Sequence, residues 1–268
     1  MSLSDQVEKT PVEQPWVVTR DDALSVIRFD GGRRRTMGIE GARQLASLLR
    51  ERSERPEPPV IVLDVSILHA ELDEILEMAA GRPISDWLPW LDAIATLENY
   101  PSATVVAVAD QASCGGLELT LAADVRVVAP AAQLGVLESR MGLIPGAGGT
   151  QRLPALLGHG WASLLCFSGE TISGVEAHRI GLAQLISDDP VATAVELAER
   201  IASRGSAVLS AVKRALIAAR PPVGEGAKVE GRGFLSVVGL ASTTEAMHLW
   251  LNRQAEGDSP AKDPSPLP

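Results

Sequence analysis

The sequence predicts an α/β fold with a helical carboxy-terminal part. Short runs of β-branched and aliphatic residues alternate with segments whose apolar residues recur every three to four positions. Glycine and proline punctuate the joins. From Val191 onward the helical spacing stands alone.

The elements follow in order. Residues 26–29 read as a strand, and residues 41–52 as a helix with Ala42, Leu45, Leu48 and Leu49 on one side. Prolines between 56 and 59 break the chain before a buried strand at 60–63. Residues 87–97 read as a helix, because Trp87, Trp90, Leu91, Ile94 and Leu97 keep helical spacing. Pro101 ends it, residues 104–109 form another strand, and Gly115 and Gly116 open a short helix that runs to 123. A strand at 125–128 follows. Helices are expected at 194–203 and 207–219, with one or two more between 230 and 252 beyond the Pro221-Pro222 break.

With 46% of its 268 residues hydrophobic, the chain can bury a sizeable core. A formal net charge of −10 argues against nucleic acid as a partner, since phosphates would be repelled. Cys114 and Cys166 stand far apart with no metal-ligand spacing, so neither a disulfide framework nor a metal site is expected. The first residues lack the apolar stretch of a secretory signal, and no run reaches the length of a membrane span. The expectation is a cytoplasmic protein that uses no membrane. Residues 1–15 read as a flexible arm and 255–268 as a disordered tail, flanking a core at 16–203 and a helical oligomerisation region at 204–254.

The chemistry concentrates between Ala109 and Gly158. Glu118 in GGLEL and Glu138 in GVLES are carboxylates set in apolar sequence. A buried, unpaired carboxyl has a raised pKa and can hold or take a proton near neutral pH. Two of them can divide general acid and general base work. Each could equally cap a helix or accept from a backbone amide. Gly115 and Gly116 let the backbone approach a ligand, and the first helical amides point outward as donors suited to a developing oxyanion. The same glycines could be turn formers alone. The run Gly146 to Gly149 lacks the lysine and hydroxyl residue of a phosphate loop and reads as a turn into a helix at Thr150-Gln151-Arg152.

GGLEL, the AADVRV strand, LGVLESRMGLIPGAGGTQRL and GETISGVEAHRIGLAQLI closely resemble the signature region of the enoyl-CoA hydratase/isomerase (crotonase) superfamily. Weaker similarity extends over about residues 26–251. The resemblance implies a crotonase spiral of repeated ββα units ending in a helical trimerisation region, assembled as a homotrimer or a dimer of trimers. It implies that Glu118 and Glu138 hold a water between them, with Glu118 as base, Glu138 as acid and the Gly115 amide as an oxyanion donor. The second donor would be Ala70, with Leu68 at the position of the family's usual aromatic residue and Asp73 at that of its acid.

The chain departs from the family there. Glu71 stands where glycine is usual, and the loop is short, so either its side chain points away from the path of the thioester arm or the carbonyl cradle is altered. Asp110 and Cys114 also replace glycines. The resemblance places substrate or CoA contacts at His69, Glu71, Leu72, Asp73 and Gly116. Arg33 and Arg34, within an arginine triplet, would meet nucleotide phosphates or form a solvated charge run. His69 could move a proton or serve structure, and Trp87 and Trp90 could line the acyl pocket or pack as core. Cys114 as a nucleophile lacks a local histidine.

The implied activity is hydration of a 2-enoyl thioester, or its reverse. Alternatives are a specialised dehydratase, isomerase or decarboxylase acting on a CoA- or carrier-protein-bound acyl group, and a weakly catalytic homologue that binds a partner protein. No cofactor is implied, because the coenzyme A or phosphopantetheine arm belongs to the substrate. An acyl-CoA is the expected ligand and an acyl carrier protein a second possible partner.

Overall fold

Trp16–Asp21 forms β1 and Leu24–Phe29 forms β2, an antiparallel pair. The computed structural model to which they belong describes residues 15–30, 35–65, 69–70, 72–220 and 224–255. Thr36–Met37 is β3, followed by α1 over Ile39–Ser53. Val60–Asp64 is β4, His69–Ala70 is β5, and Leu72–Ala79 is α2. A 3-10 turn at Ile84–Trp87 leads into α3, Leu88–Glu98, so the predicted helix begins one residue late. Then come β6 (Thr104–Val108), β7 (Gln111–Ser113), α4 (Gly115–Ala122), β8 (Val125–Val128) and β9 (Gln133–Gly135). The helix α5 (Gly149–Ser168), β10 (Thr171–Ser173), α6 (Gly174–Arg179) and β11 (Leu185–Ile186) follow. The chain ends in α7 (Pro190–Ala202), α8 (Ser206–Ala218), α9 (Gly224–Val238) and α10 (Ala241–Ala255).

Six strands make the main sheet in the order β1-β2-β4-β6-β8-β11, parallel from β2 onward. Parallel strands covered on both faces read as continuous apolar runs, which is why VIVL and TVVAV stand out in the sequence. Side chains alternate between faces. Val60, Val62, Val105 and Ala107 pack with Ala194 and Ala198 of α7, while Ile61, Leu63, Val106 and Val108 enter the larger core. Each buried aliphatic chain contributes about 1.5–3 kcal/mol.

The larger core also takes Ala42, Leu45, Ala46 and Leu49 from α1 and Trp90, Ile94 and Leu97 from α3. Gly38 cannot cap α1 with a side chain, and Glu74 of α2 supplies the acceptor for the Ile39 amide at 2.9 Å. β7, β9 and β10 form a second sheet, with β7 and β9 parallel and β9 and β10 antiparallel. β3 and β5 pair in parallel, Thr36 opposite His69 and Met37 opposite Ala70. β5 lies against α4. The carboxy-terminal helical stretch is two helices rather than one, and α9 begins six residues before the expected start at 230. No helix among the described residues is long and apolar enough to cross a membrane.

Candidate active site

β7 hands the chain to α4 through Cys114, whose backbone sits at φ 50° and ψ −130°. A non-glycine residue rarely adopts a positive φ, so the glycine that the resemblance leads one to expect at this position would hold the same backbone without strain. The Cys114 amide donates to the Gly135 carbonyl at 2.9 Å, holding α4 against β9. Gly115 and Gly116 are the first two residues of α4, both buried, and their amides precede any intrahelical acceptor. Glu118 follows one turn on, 4% exposed in a helix with every residue buried.

From β9 the chain passes to a 3-10 turn at Glu138–Met141, closed by Gly142 in the left-handed region. This turn buries Glu138, with 6% exposure. The predicted turn at 146–149 then enters α5, as expected. One oxygen of Glu118, Oε1, accepts from the Ala147 amide at 2.8 Å and the Gly149 amide at 2.7 Å. Glycine is needed at 149, because a Cβ there would lie 2.9 Å from the same oxygen.

A third carboxylate completes the arrangement. Glu230 of α9 accepts the Gly148 amide at 2.6 Å through Oε1 and the Thr150 amide at 3.0 Å through Oε2. The Thr150 hydroxyl also donates to Oε2. Four consecutive amides, 147 to 150, thus go alternately to carboxylates from two helices. Sequence reasoning missed Glu230, which stands in the polar, glycine-containing stretch GEGAKVEGRG with no apolar frame to mark it.

The electrostatics follow from this packing. Burial, then the charges of Glu138 and Glu230, push the Glu118 carboxyl well above its usual range against the pull of the two amides. Burial also raises Glu138, to about 7, opposed by its own backbone amide and the Cys114 thiol and assisted by Glu230. Glu138 Oε2 is buried without a hydrogen-bond partner among the described residues. Two interacting buried carboxyls titrate as a pair, and burial raises the proton affinity of both. Such a pair can pass protons to and from a group held between them. Among the described residues no three His, Cys, Asp or Glu side chains converge as a metal site.

The other predicted contacts fare unequally. Ala70 enters through β5, whose backbone lies against α4. Leu72 is enclosed at the start of α2 and Asp73 beside it is exposed. Trp87 and Trp90 are buried and stacked at 5.6 Å, and Trp87 stacks in turn on Phe234 of α9 at 6.3 Å, so they form a core stripe leading to the carboxy-terminal helices. Arg33, Arg34, Glu71 and the His69 side chain lie outside the described residues. Arg35, last of the arginine triplet, pairs with Asp110 at the surface.

The family model described as enoyl-CoA hydratase/isomerase matches residues 70–255. The chain is 30% identical over 191 residues to an enoyl-CoA isomerase/hydratase of Mycosarcoma maydis, covering 69% of this chain and 68% of that protein. It is 36% identical over 154 residues to human mitochondrial methylglutaconyl-CoA hydratase, covering 55% of this chain and 45% of that one. The chain spans only 28–48% of the length of several curated relatives that it matches. An enoyl-CoA hydratase/isomerase structure from Mycobacterium paratuberculosis superposes with a TM-score of 0.82 at 20% identity, over 88% of this chain and 98% of that one, which shows the crotonase fold. On the family match, the chain belongs to the enoyl-CoA hydratase/isomerase family.

Proposed function

We propose that the protein is a hydro-lyase that adds water to a 2-enoyl thioester or removes it from a 3-hydroxyacyl thioester. The observation that carries this reading is the burial of two carboxyls, Glu118 in α4 and Glu138 in the 3-10 turn at Glu138–Met141, near enough for the charge of Glu138 to raise the proton affinity of Glu118. The Gly115 amide at the start of α4, with the Ala70 amide from β5, would donate to the thioester oxygen as charge builds there. The pair shares a proton between its two carboxyls. In the form with that proton on Glu138, the ionised Glu118, held by the Ala147 and Gly149 amides, takes a proton from water as the water oxygen bonds to the β-carbon. The electrons pass to the thioester oxygen, and Glu138, whose Oε2 has no partner among the described residues, returns a proton to the α-carbon. The reverse order removes water, and the pair ends each cycle by exchanging its proton.

The acyl group arrives on coenzyme A or a phosphopantetheine arm, so the reading calls for no separate cofactor. A shift of the double bond within the same thioester is a second reading, favoured by the relative named isomerase/hydratase. Assembly as a trimer or dimer of trimers is part of the proposal. It is supported by Val208, Val212 and Leu216, spaced four apart on α8 and 52–58% exposed.

The test follows the absorbance of the conjugated thioester with 2-enoyl-CoA substrates of several lengths and with a carrier-protein thioester. Turnover lost in both Glu118→Gln and Glu138→Gln supports the reading. Turnover that survives either change sinks the paired mechanism.

A further inference from the structure

We propose that Glu230 is a positioning residue for the Glu118–Glu138 pair, and that docking of α9 through it completes the active site. The inference rests on the reading above for what the pair does, and on the geometry of residues 142–151 for how Glu230 acts.

The alternation of acceptors carries the argument. Glu118 takes the amides of Ala147 and Gly149, and Glu230 takes those of Gly148 and Thr150. These amides belong to adjoining peptides, so the turn cannot move against one carboxylate without moving against the other. The bond to Gly148 spans 82 residues of chain, so it is a tertiary tie rather than a local cap. A carboxylate is also well placed at the amino-terminal end of the 20-residue α5, where unpaired amides carry partial positive charge.

The surface around Glu230 is fitted to this turn. A Cβ at Gly233 would fall 2.7 Å from Ile144 Cδ1, and one at Gly226 would collide with Gln151. One turn beyond Glu230, the Phe234 ring closes over Gly146, where an added Cβ would sit 3.0 Å away. Glycines in a helix each cost about 0.5–1 kcal/mol relative to alanine. At 226 and 233 the atoms met are the ends of the Gln151 and Ile144 side chains, so these glycines spare those side chains a shift as α9 packs on the loop.

Glu230 also acts on the pair through space. Its negative charge raises the proton affinity of both Glu118 and Glu138. Arg152 on α5 is engaged by Glu98 and the Ala147 carbonyl. On α2, Glu74 is engaged at Ile39 and Glu77 pairs with Arg82, while Asp73 is exposed. Glu225, Lys228 and Arg232 of α9 and Glu245, His248 and Arg253 of α10 are exposed. Among the described residues, Glu230 adds its charge to both members of the pair, the Cys114 thiol bonds Glu138, and the half-buried Cys166 thiol feels all three carboxylates.

The test combines hydrogen exchange on the full chain with enoyl-CoA kinetics for the wild type, Glu230→Gln and Thr150→Val. In Glu230→Gln, protection should fall about tenfold at Ala147 and Gly149 as well as at Gly148 and Thr150. Its kcat should drop about tenfold with KM within about twofold, and the pH limbs of kcat should move down by about half a unit or more. Thr150→Val keeps the charge and removes one donor; it should loosen Ala147 and Gly149 a few-fold and leave the limbs in place. Exchange changes confined to Gly148 and Thr150, or limbs that stay put in Glu230→Gln, overturn the inference. Should Glu230→Gln fail to fold, unchanged exchange at Ala147 and Gly149 in Thr150→Val overturns it instead. A wild type inactive on every thioester defeats the proposed reaction alone, because exchange still reports whether Glu230 organises the turn.

Discussion

Arg152 reaches back from the first turn of α5 and donates through Nη1 to the Ala147 carbonyl at 2.8 Å. Its Nε and Nη2 hold the carboxylate of Glu98 at 3.1 and 2.8 Å. Burial pushes the Glu98 carboxyl up, but the Arg152 bond and the charges of Arg152, Arg220 and Lys213 outweigh it and hold the group below the usual range. The residue that offers its amide to Glu118 is thus propped through its carbonyl by an ion pair with α3.

Arg152→Met removes the prop and leaves Glu98 half-paired with Arg220. We expect a loss of about 2 kcal/mol in denaturant unfolding and a fall in enoyl-thioester turnover. A depressed carboxyl stabilises the fold above its unfolded pKa, and that contribution disappears as pH falls through the folded value. The wild-type advantage over Arg152→Met should therefore shrink in acid. A constant difference from pH 7 down to pH 3 would show that the pair does not act this way.

Gly149→Ala should abolish most turnover while leaving the fold in place. The new methyl group would lie 2.9 Å from Glu118 Oε1 and equally close to Pro145, so the Glu118 carboxylate must give way. Circular dichroism that matches the wild type, with turnover down about tenfold or more, is the expected outcome. Full activity would mean that the position of Oε1 is not critical.

Glu138→Gln should gain stability relative to the wild type as pH rises. Burial lifts this carboxyl from a usual value of 4.5 to about 7. A raised carboxyl binds its proton more tightly in the folded state, so the penalty is absent below the unfolded pKa. It grows through the interval and is complete above the folded pKa. The difference between pH 5 and pH 8 should amount to about 2–3 kcal/mol in favour of the variant, since each unit is worth about 1.4 kcal/mol. Thermal melts at the two pH values measure it, and a variant that gains nothing at pH 8 contradicts the assignment.

Cys114→Gly should be more stable than Cys114→Ala by about 1–2 kcal/mol, because both lose the thiol and only alanine keeps the cost of a positive φ. Equal unfolding midpoints would show that the junction between β7 and α4 is unstrained.

The pair Glu118 and Glu138 was legible because apolar sequence frames each carboxylate, and buried charge is conspicuous against such a frame. The buried parallel strands were legible for the related reason that both their faces are apolar. β1 escaped notice because its outer face meets solvent and its sequence turns polar at Thr19, Arg20 and Asp21. Periodicity in α2 is present at Leu72, Ile75 and Met78, but it lies where the resemblance placed an oxyanion loop. The start of α9 escaped because its glycines disfavour a helix locally; of these, Gly226 and Gly233 face the loop on which α9 docks. Glu230 could not be found from spacing, since its partners are peptide groups 80 and 82 positions away.

That separation also sets an order of events during synthesis. Glu118, Glu138 and the turn between Ala147 and Thr150 leave the ribosome long before the residue that takes the turn's remaining amides. Until α9 has emerged, two of four adjacent N–H groups have only water to accept them. A growing chain therefore carries its two acidic side chains unfinished, and gains the completed turn only once α9 has followed them out.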